Sequence, residues 1–76
     1  MYVVECADGS FYAGITTDIA RRLHEHNFTN RGAKYTKPRR PVRLVYFTDH
    51  DDRSSASVAE AAFKKLTRKQ KEVFIL

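Results

Sequence analysis

The chain has 76 residues, with 14 Lys and Arg against 9 Asp and Glu, a formal net charge of +5 and a pI near 9.7. That length admits one domain, residues 1–76, whose thin core buries only about 60% of the surface the unfolded chain would expose, so a shallow site is expected rather than a deep pocket. The basic balance favours a polyanion, nucleic acid ahead of an anionic membrane. Cys6 is the single cysteine, which excludes an internal disulfide and a cysteine-built zinc site and fits a reducing, cytoplasmic setting. No apolar run approaches the roughly 18 residues of a membrane span, so no membrane partner is expected. Met1-Tyr2-Val3-Val4-Glu5 lacks the basic start of a secretory leader and meets an acid almost at once.

Tyr2 to Cys6 is short, apolar and β-branched and predicts a strand. Ala7-Asp8-Gly9-Ser10 predicts a turn, and Phe11 to Ile15 a second strand, so the chain opens on a hairpin. Thr17-Asp18 can cap a helix running through Ile19, Ala20 and Leu23 to about Asn27. Phe28 to Pro41 holds Gly32, Pro38 and five basic residues, Arg31, Lys34, Lys37, Arg39 and Arg40, and predicts a basic loop. Val42 to Phe47 predicts a third strand and Thr48 to Arg53 a polar, acidic loop. A second long helix starts at Ser54 or Ser55, with Val58, Ala59, Ala62, Phe63 and Leu66 on one face. Thr67-x-x-Gln70 has the form of a capping box and predicts a last helix through Lys71 towards Ile75. The expected fold is α/β, order ββαβαα: a small three-stranded sheet, made of the N-terminal antiparallel hairpin plus a third strand, flanked by helices.

On a helical wheel at about 100° per residue, Ile19, Ala20, Leu23 and Asn27 form a buried stripe. Arg22 and His26, four apart, lie together at its edge, and Arg21, His24 and Glu25 point outward. A rim arginine beside a histidine suits a phosphate, because the guanidinium fork matches its oxygens; the plain alternative is a snorkelling arginine and a surface histidine. Glu60 lies at the border between Phe63 and the charged face. It reads either as an i,i+4 ion pair with Lys64 or as a carboxylate ligand for Mg²⁺. Tyr2 and Tyr12 on the hairpin are core aromatics or site residues. Lys34, Tyr35 and Lys37, with Arg39 and Arg40, mix charge with an aromatic and suit a nucleic-acid strand, unless the loop is merely solvated.

The order of these features is more specific than any one of them. Tyr2-Val3-Val4-Glu5-Cys6, Phe11-Tyr12-Ala13-Gly14-Ile15-Thr16 and the Arg22-x-x-x-His26 helix resemble the GIY-YIG nuclease superfamily. Ala7-Asp8-Gly9-Ser10, Gly32-Ala33-Lys34-Tyr35-Thr36, Glu60-Ala61-Ala62 and Lys65-Leu66-Thr67-Arg68 resemble its small stand-alone, single-domain bacterial subgroup. Gly-Ile-Tyr is reduced here to Met1-Tyr2, and Tyr-Ile-Gly reads Tyr12-Ala13-Gly14. The resemblance covers essentially the whole chain.

The resemblance implies metal-dependent hydrolysis of phosphodiesters by an endonuclease, with Mg²⁺ or Mn²⁺ held by Glu60. It implies Arg22 on the scissile phosphate, Tyr12 positioning water with His26 as its proton acceptor, and Tyr2 orienting phosphate or water. Lys34 and the loop arginines would bind flanking phosphates, on DNA ahead of RNA, and a protein partner would supply specificity. Two other readings stay open: a non-catalytic nucleic-acid-binding module of the same fold, and a protein-interaction accessory subunit.

A shared tyrosine site requires Tyr2 and Tyr12 on one sheet face. Side chains alternate along a strand, so a two-residue Asp8-Gly9 loop would separate them. A three-residue Ala7-Asp8-Gly9 loop pairs Cys6 with Ser10 and brings them together, with Gly9 in the left-handed region. The three-residue loop is the one expected.

Overall fold

The computed structural model describes residues 1–75. The apolar runs form β1 (Tyr2–Glu5), β2 (Phe11–Gly14) and β3 (Arg43–Phe47), each a residue shorter than its run. They make one sheet of order β2-β1-β3, antiparallel throughout. The helices are α1 (Ile19–Phe28), α2 (Arg53–Lys64) and α3 (Arg68–Ile75), giving the expected order ββαβαα.

The hairpin turns as expected. Cys6 N–H donates to Ser10 O at 2.8 Å and Gly9 N–H to Cys6 O at 2.9 Å, with Gly9 at φ +85°. Tyr2 therefore faces Gly14 and Val4 faces Tyr12, and the two tyrosines share a face. On that face Tyr2, Val4 and Cys6 pack with Val42, Leu44 and Leu23 of α1. On the other, Met1, Val3 and Ala13 pack against Phe63 and Ala59 of α2, Leu66, and Ile75 of α3. The central strand is thus covered on both sides, and Val3 and Val4 are fully buried.

Capping places the helix starts. Asp18 accepts from Arg21 N–H at 3.0 Å. Asp52 accepts from Ser55 N–H at 2.7 Å, which draws Arg53 into α2 and starts that helix ahead of the expected serines. Thr67 and Gln70 bond each other's backbone N–H groups, the reciprocal box read from the sequence. Within the basic segment Lys37–Arg39 forms one 3-10 turn, local structure that the loop reading missed.

The buried stripes are rotated from those expected. On α1, His26 is fully buried, Glu25 is half-buried and Ala20 is exposed. Polar anchors set this rotation: Asn27 exchanges two hydrogen bonds with the backbone of Val42, at 2.7 and 3.0 Å. On α2 the sheet-facing stripe is Ala56, Ala59, Glu60 and Phe63, spaced by three or four, which leaves Val58 and Ala62 outside.

Candidate active site

β1, β2 and α1 meet at the Tyr2 hydroxyl. It lies 2.7 Å from His26 Nε2, and the opposite ring nitrogen lies 2.9 Å from Thr36 Oγ1. Thr36 Oγ1 in turn donates to Ala33 O at 3.0 Å. Since that bond uses the threonine's one proton, the chain runs in a single direction: Tyr2 O–H to Nε2, Nδ1–H to Thr36, Thr36 O–H to Ala33 O. Ala33 N–H approaches Nδ1 only at 3.4 Å, too long to set the tautomer against the shorter bonds. Gly14 supplies the clearance, because a Cβ there would stand 2.5 Å from the Tyr2 hydroxyl oxygen.

Burial sets the charge states. It raises the Tyr2 pKa above the usual tyrosine value; the Arg22 guanidinium favours the phenolate, while Tyr12 and Glu60 oppose it. Burial, followed by the positive charges of Arg22 and Arg40, lowers His26 to about 4, with Glu25 opposing. His26 is therefore neutral near neutral pH and accepts from a protonated Tyr2.

Arg22 stands half-buried at the rim as expected. Its Nη1 donates to Glu25 Oε1 at 3.2 Å and to Arg31 O at 2.7 Å. The guanidinium also approaches the Tyr2 hydroxyl; its Nε–Nη2 edge bonds no carboxylate or carbonyl among the described residues, and such an edge is the fork that takes two phosphate oxygens. Tyr2 and Arg22 line an open cleft of about 950 Å³ with Asp18, Asp52 and Arg53.

Tyr12 sits edge-on to the His26 ring, centroids 5.6 Å apart, and its hydroxyl has no hydrogen-bond partner among the described residues. The proton-acceptor pairing expected for Tyr12 and His26 is thus corrected: His26 bonds Tyr2, because Tyr2 on the central strand reaches deeper under α1. Glu60 is half-buried and pairs with Lys64 Nζ at 2.5 Å, the ion pair that spacing allowed. No group of three or more His, Cys, Asp or Glu that could hold a metal exists among the described residues. The donor set at Glu60 is one carboxylate. It fits Mg²⁺ or Mn²⁺ only in the manner of ions that keep waters and share the substrate's phosphate.

The basic segment divides. Tyr35 stacks on Tyr12 with centroids 6.0 Å apart, and Arg39 lies over the Tyr35 ring at 4.0 Å. Arg39 is otherwise held by Asp8 at 3.1 Å and by Tyr35 O at 2.8 Å. Arg40, expected at phosphate, instead donates to the carbonyls of His26, Glu25 and Thr29. The His26 and Thr29 carbonyls lie where the helical ladder of α1 runs out, while Glu25 O already accepts from Thr29 N–H at 3.3 Å, so Arg40 acts as a cap on the end of the helix. Lys34 and Lys37 are exposed, and neither is in an ion pair among the described residues. Thr36 was missed as a site residue. Its signal was the Gly32-to-Thr36 run, whose exposed neighbours concealed one fully buried hydroxyl.

A family model described as the GIY-YIG catalytic domain matches residues 1–73. A protein of Listeria monocytogenes serotype 4b named as UPF0213 is 52% identical over 75 residues, covering 99% of this chain and 83% of that protein. The UPF0213 protein of Enterococcus faecalis is 57% identical over 76 residues, covering 97% of this chain and 85% of its own. That of Desulfotalea psychrophila is 52% identical over 75 residues, covering 99% and 68%. No solved structure matches the chain.

Proposed function

Because the chain belongs to the family of GIY-YIG catalytic domains, we propose that it is a metal-dependent endonuclease that hydrolyses phosphodiester bonds of nucleic acid, DNA ahead of RNA. The observation that carries this reading is the Arg22 guanidinium, its Nε–Nη2 edge bonded to no carboxylate or carbonyl among the described residues, beside a Tyr2 hydroxyl whose proton is aimed at a neutral His26.

The scissile phosphate sits on that edge of Arg22, which offsets the charge that grows in the transition state. Tyr2 keeps its proton at rest, so it acts as a relay. Its oxygen accepts a proton from the attacking water while its own proton passes to His26 Nε2. A phosphate on Arg22 screens one of the two positive charges that depress His26, so the base strengthens when substrate is present. Tyr12 positions water or phosphate with its free hydroxyl. Glu60 holds Mg²⁺ or Mn²⁺, which when bound supplies Lewis-acid stabilisation at the phosphate and the leaving oxygen. Lys34 and Lys37 contact flanking phosphates.

The test is cleavage of labelled DNA and RNA panels, duplex, single-stranded, flapped and nicked, with Mg²⁺ or Mn²⁺. Wild type is expected to cut at least one member, and Glu60→Gln and Tyr12→Phe to lose about 100-fold or more in rate, the loss typical for a transition-state contact. Substrate that is bound but never cut, at any metal concentration, would instead establish the binding module.

A further inference from the structure

We propose that Lys64 is a two-position cation: it neutralises Glu60 in the free protein, and moves onto a nucleic-acid phosphate at the open edge of β2 when substrate binds, freeing Glu60 for its metal. This rests on the reading of Glu60 given above and names what controls it.

The resting position is plain in the structure. Lys64 Nζ lies 2.5 Å from Glu60 Oε1, on a carboxylate with a side-chain exposure of 21%. The hydrogen bond to Glu60 is the main reason the lysine holds its proton more firmly than usual. A divalent ion approaching Glu60 in the free protein competes with that ammonium for the carboxylate.

The second position is a groove of about 290 Å³ lined by Phe11, Tyr12, Ala13, Tyr35, Lys64 and Lys71, among others. Its floor is the free edge of β2. Cys6 and Ser10 form a hydrogen-bonded pair, so Val4–Tyr12 does too, and the backbone groups of Phe11 and Ala13 point away from β1. Neither has a backbone partner there among the described residues. The groove thus offers peptide N–H groups, the ammonium of Lys71 (in no ion pair among the described residues) and the ammonium of Lys64. No carboxylate lines it. Its chemistry is that of a phosphate subsite beside Tyr12. A lysine, a point charge on a flexible four-carbon stem, can serve both positions by rotating its own side chain.

Two measurements test the exchange. Mn²⁺ binding to the free protein is titrated for wild type, Lys64→Met and Lys64→Met/Glu60→Gln. The single variant is expected to bind Mn²⁺ about 5-fold tighter or more, the usual lower range of coupling between sites, and the double variant to lose that gain. Oligonucleotide binding is then measured against salt, without metal, for Glu60→Gln and Glu60→Gln/Lys64→Met. Lys64 is released in the first of these and absent from the second, so the salt slope should fall by about 0.7 to 0.9, one phosphate contact. Unchanged Mn²⁺ affinity in Lys64→Met, a gain that survives loss of Glu60, or equal salt slopes would each overturn the proposal. The two readings separate: both effects without any cleavage would sink the nuclease reading alone, and Glu60-dependent cleavage with Mn²⁺ affinity indifferent to Lys64 would sink the exchange alone.

Discussion

His26 shows what one side chain does to the whole. Its ring is fully buried, bonded at both nitrogens, and neutral until about pH 4. In the unfolded chain it titrates near its usual 6.5. Between those values the unfolded chain holds more protons, so stability rises with pH across the window and is lost as pH falls towards 4. The pH-dependent part is about 3 kcal/mol, and denaturant unfolding of wild type against His26→Gln from pH 4 to 7 should show the difference between them change by about that much, shrinking as pH falls and levelling off below pH 4. Thr36→Val should leave a buried Nδ1–H unpaired and destabilise the fold by about 1–3 kcal/mol, with Thr36→Ser restoring most of it. The helical spacing put Arg22 and His26 on one side of α1 and the strand pattern put Tyr2 on the hairpin, but the full burial of His26 was not legible in the spacing. The sequence paired His26 with Tyr12, whereas the structure pairs it with Tyr2, since both tyrosines lie on the same face and only depth under α1 separates them.

At the level of elements, local chemistry was the most legible part. Strand runs, the aspartate cap of α1 and the Thr67–Gln70 box all follow from nearest-neighbour rules, whereas the three-residue loop is picked over a two-residue one by the need to put Tyr2 and Tyr12 on one face. What was not legible depends on contacts distant in sequence. Asn27 clamps α1 to the start of β3 across 15 residues, and Arg40 reaches back 11 to 15 residues to close the end of α1. Hydropathy assigns neither role, and without them the wheel puts Ala20 inside. The cross-strand pair Tyr2–Gly14 belongs to this level as well. Gly14→Ala should force the packed Tyr2 ring off His26, so cleavage should fall by far more than the melting temperature would suggest, with crystallography of the variant showing the hydroxyl displaced.

Across the whole molecule, charge sorts into structural and available parts. The net charge of +5 is real, but it does not act as one patch. Arg40 is occupied with helix carbonyls, Arg39 with Asp8 and Tyr35, and Arg43 with Glu5 at 2.6 Å. Lys34 and Lys37 remain open to solvent. Nucleic-acid binding should therefore weaken with salt, and Lys37→Met should make the slope shallower by about 0.7 to 0.9. Arg40→Met should lower the melting temperature and leave the slope unchanged. Composition alone weighs these residues equally; their partners in the fold tell them apart. No helix among the described residues is long and apolar enough to cross a membrane.

Single-turnover cleavage by wild type, Tyr2→Phe and Glu60→Gln, with substrate affinity measured alongside, tests whether Tyr2 and Glu60 serve one hydrolytic site. Both variants should bind substrate within a few-fold of wild type and cut it about 100-fold more slowly or worse. Cleavage at the wild-type rate by either variant would contradict a shared site.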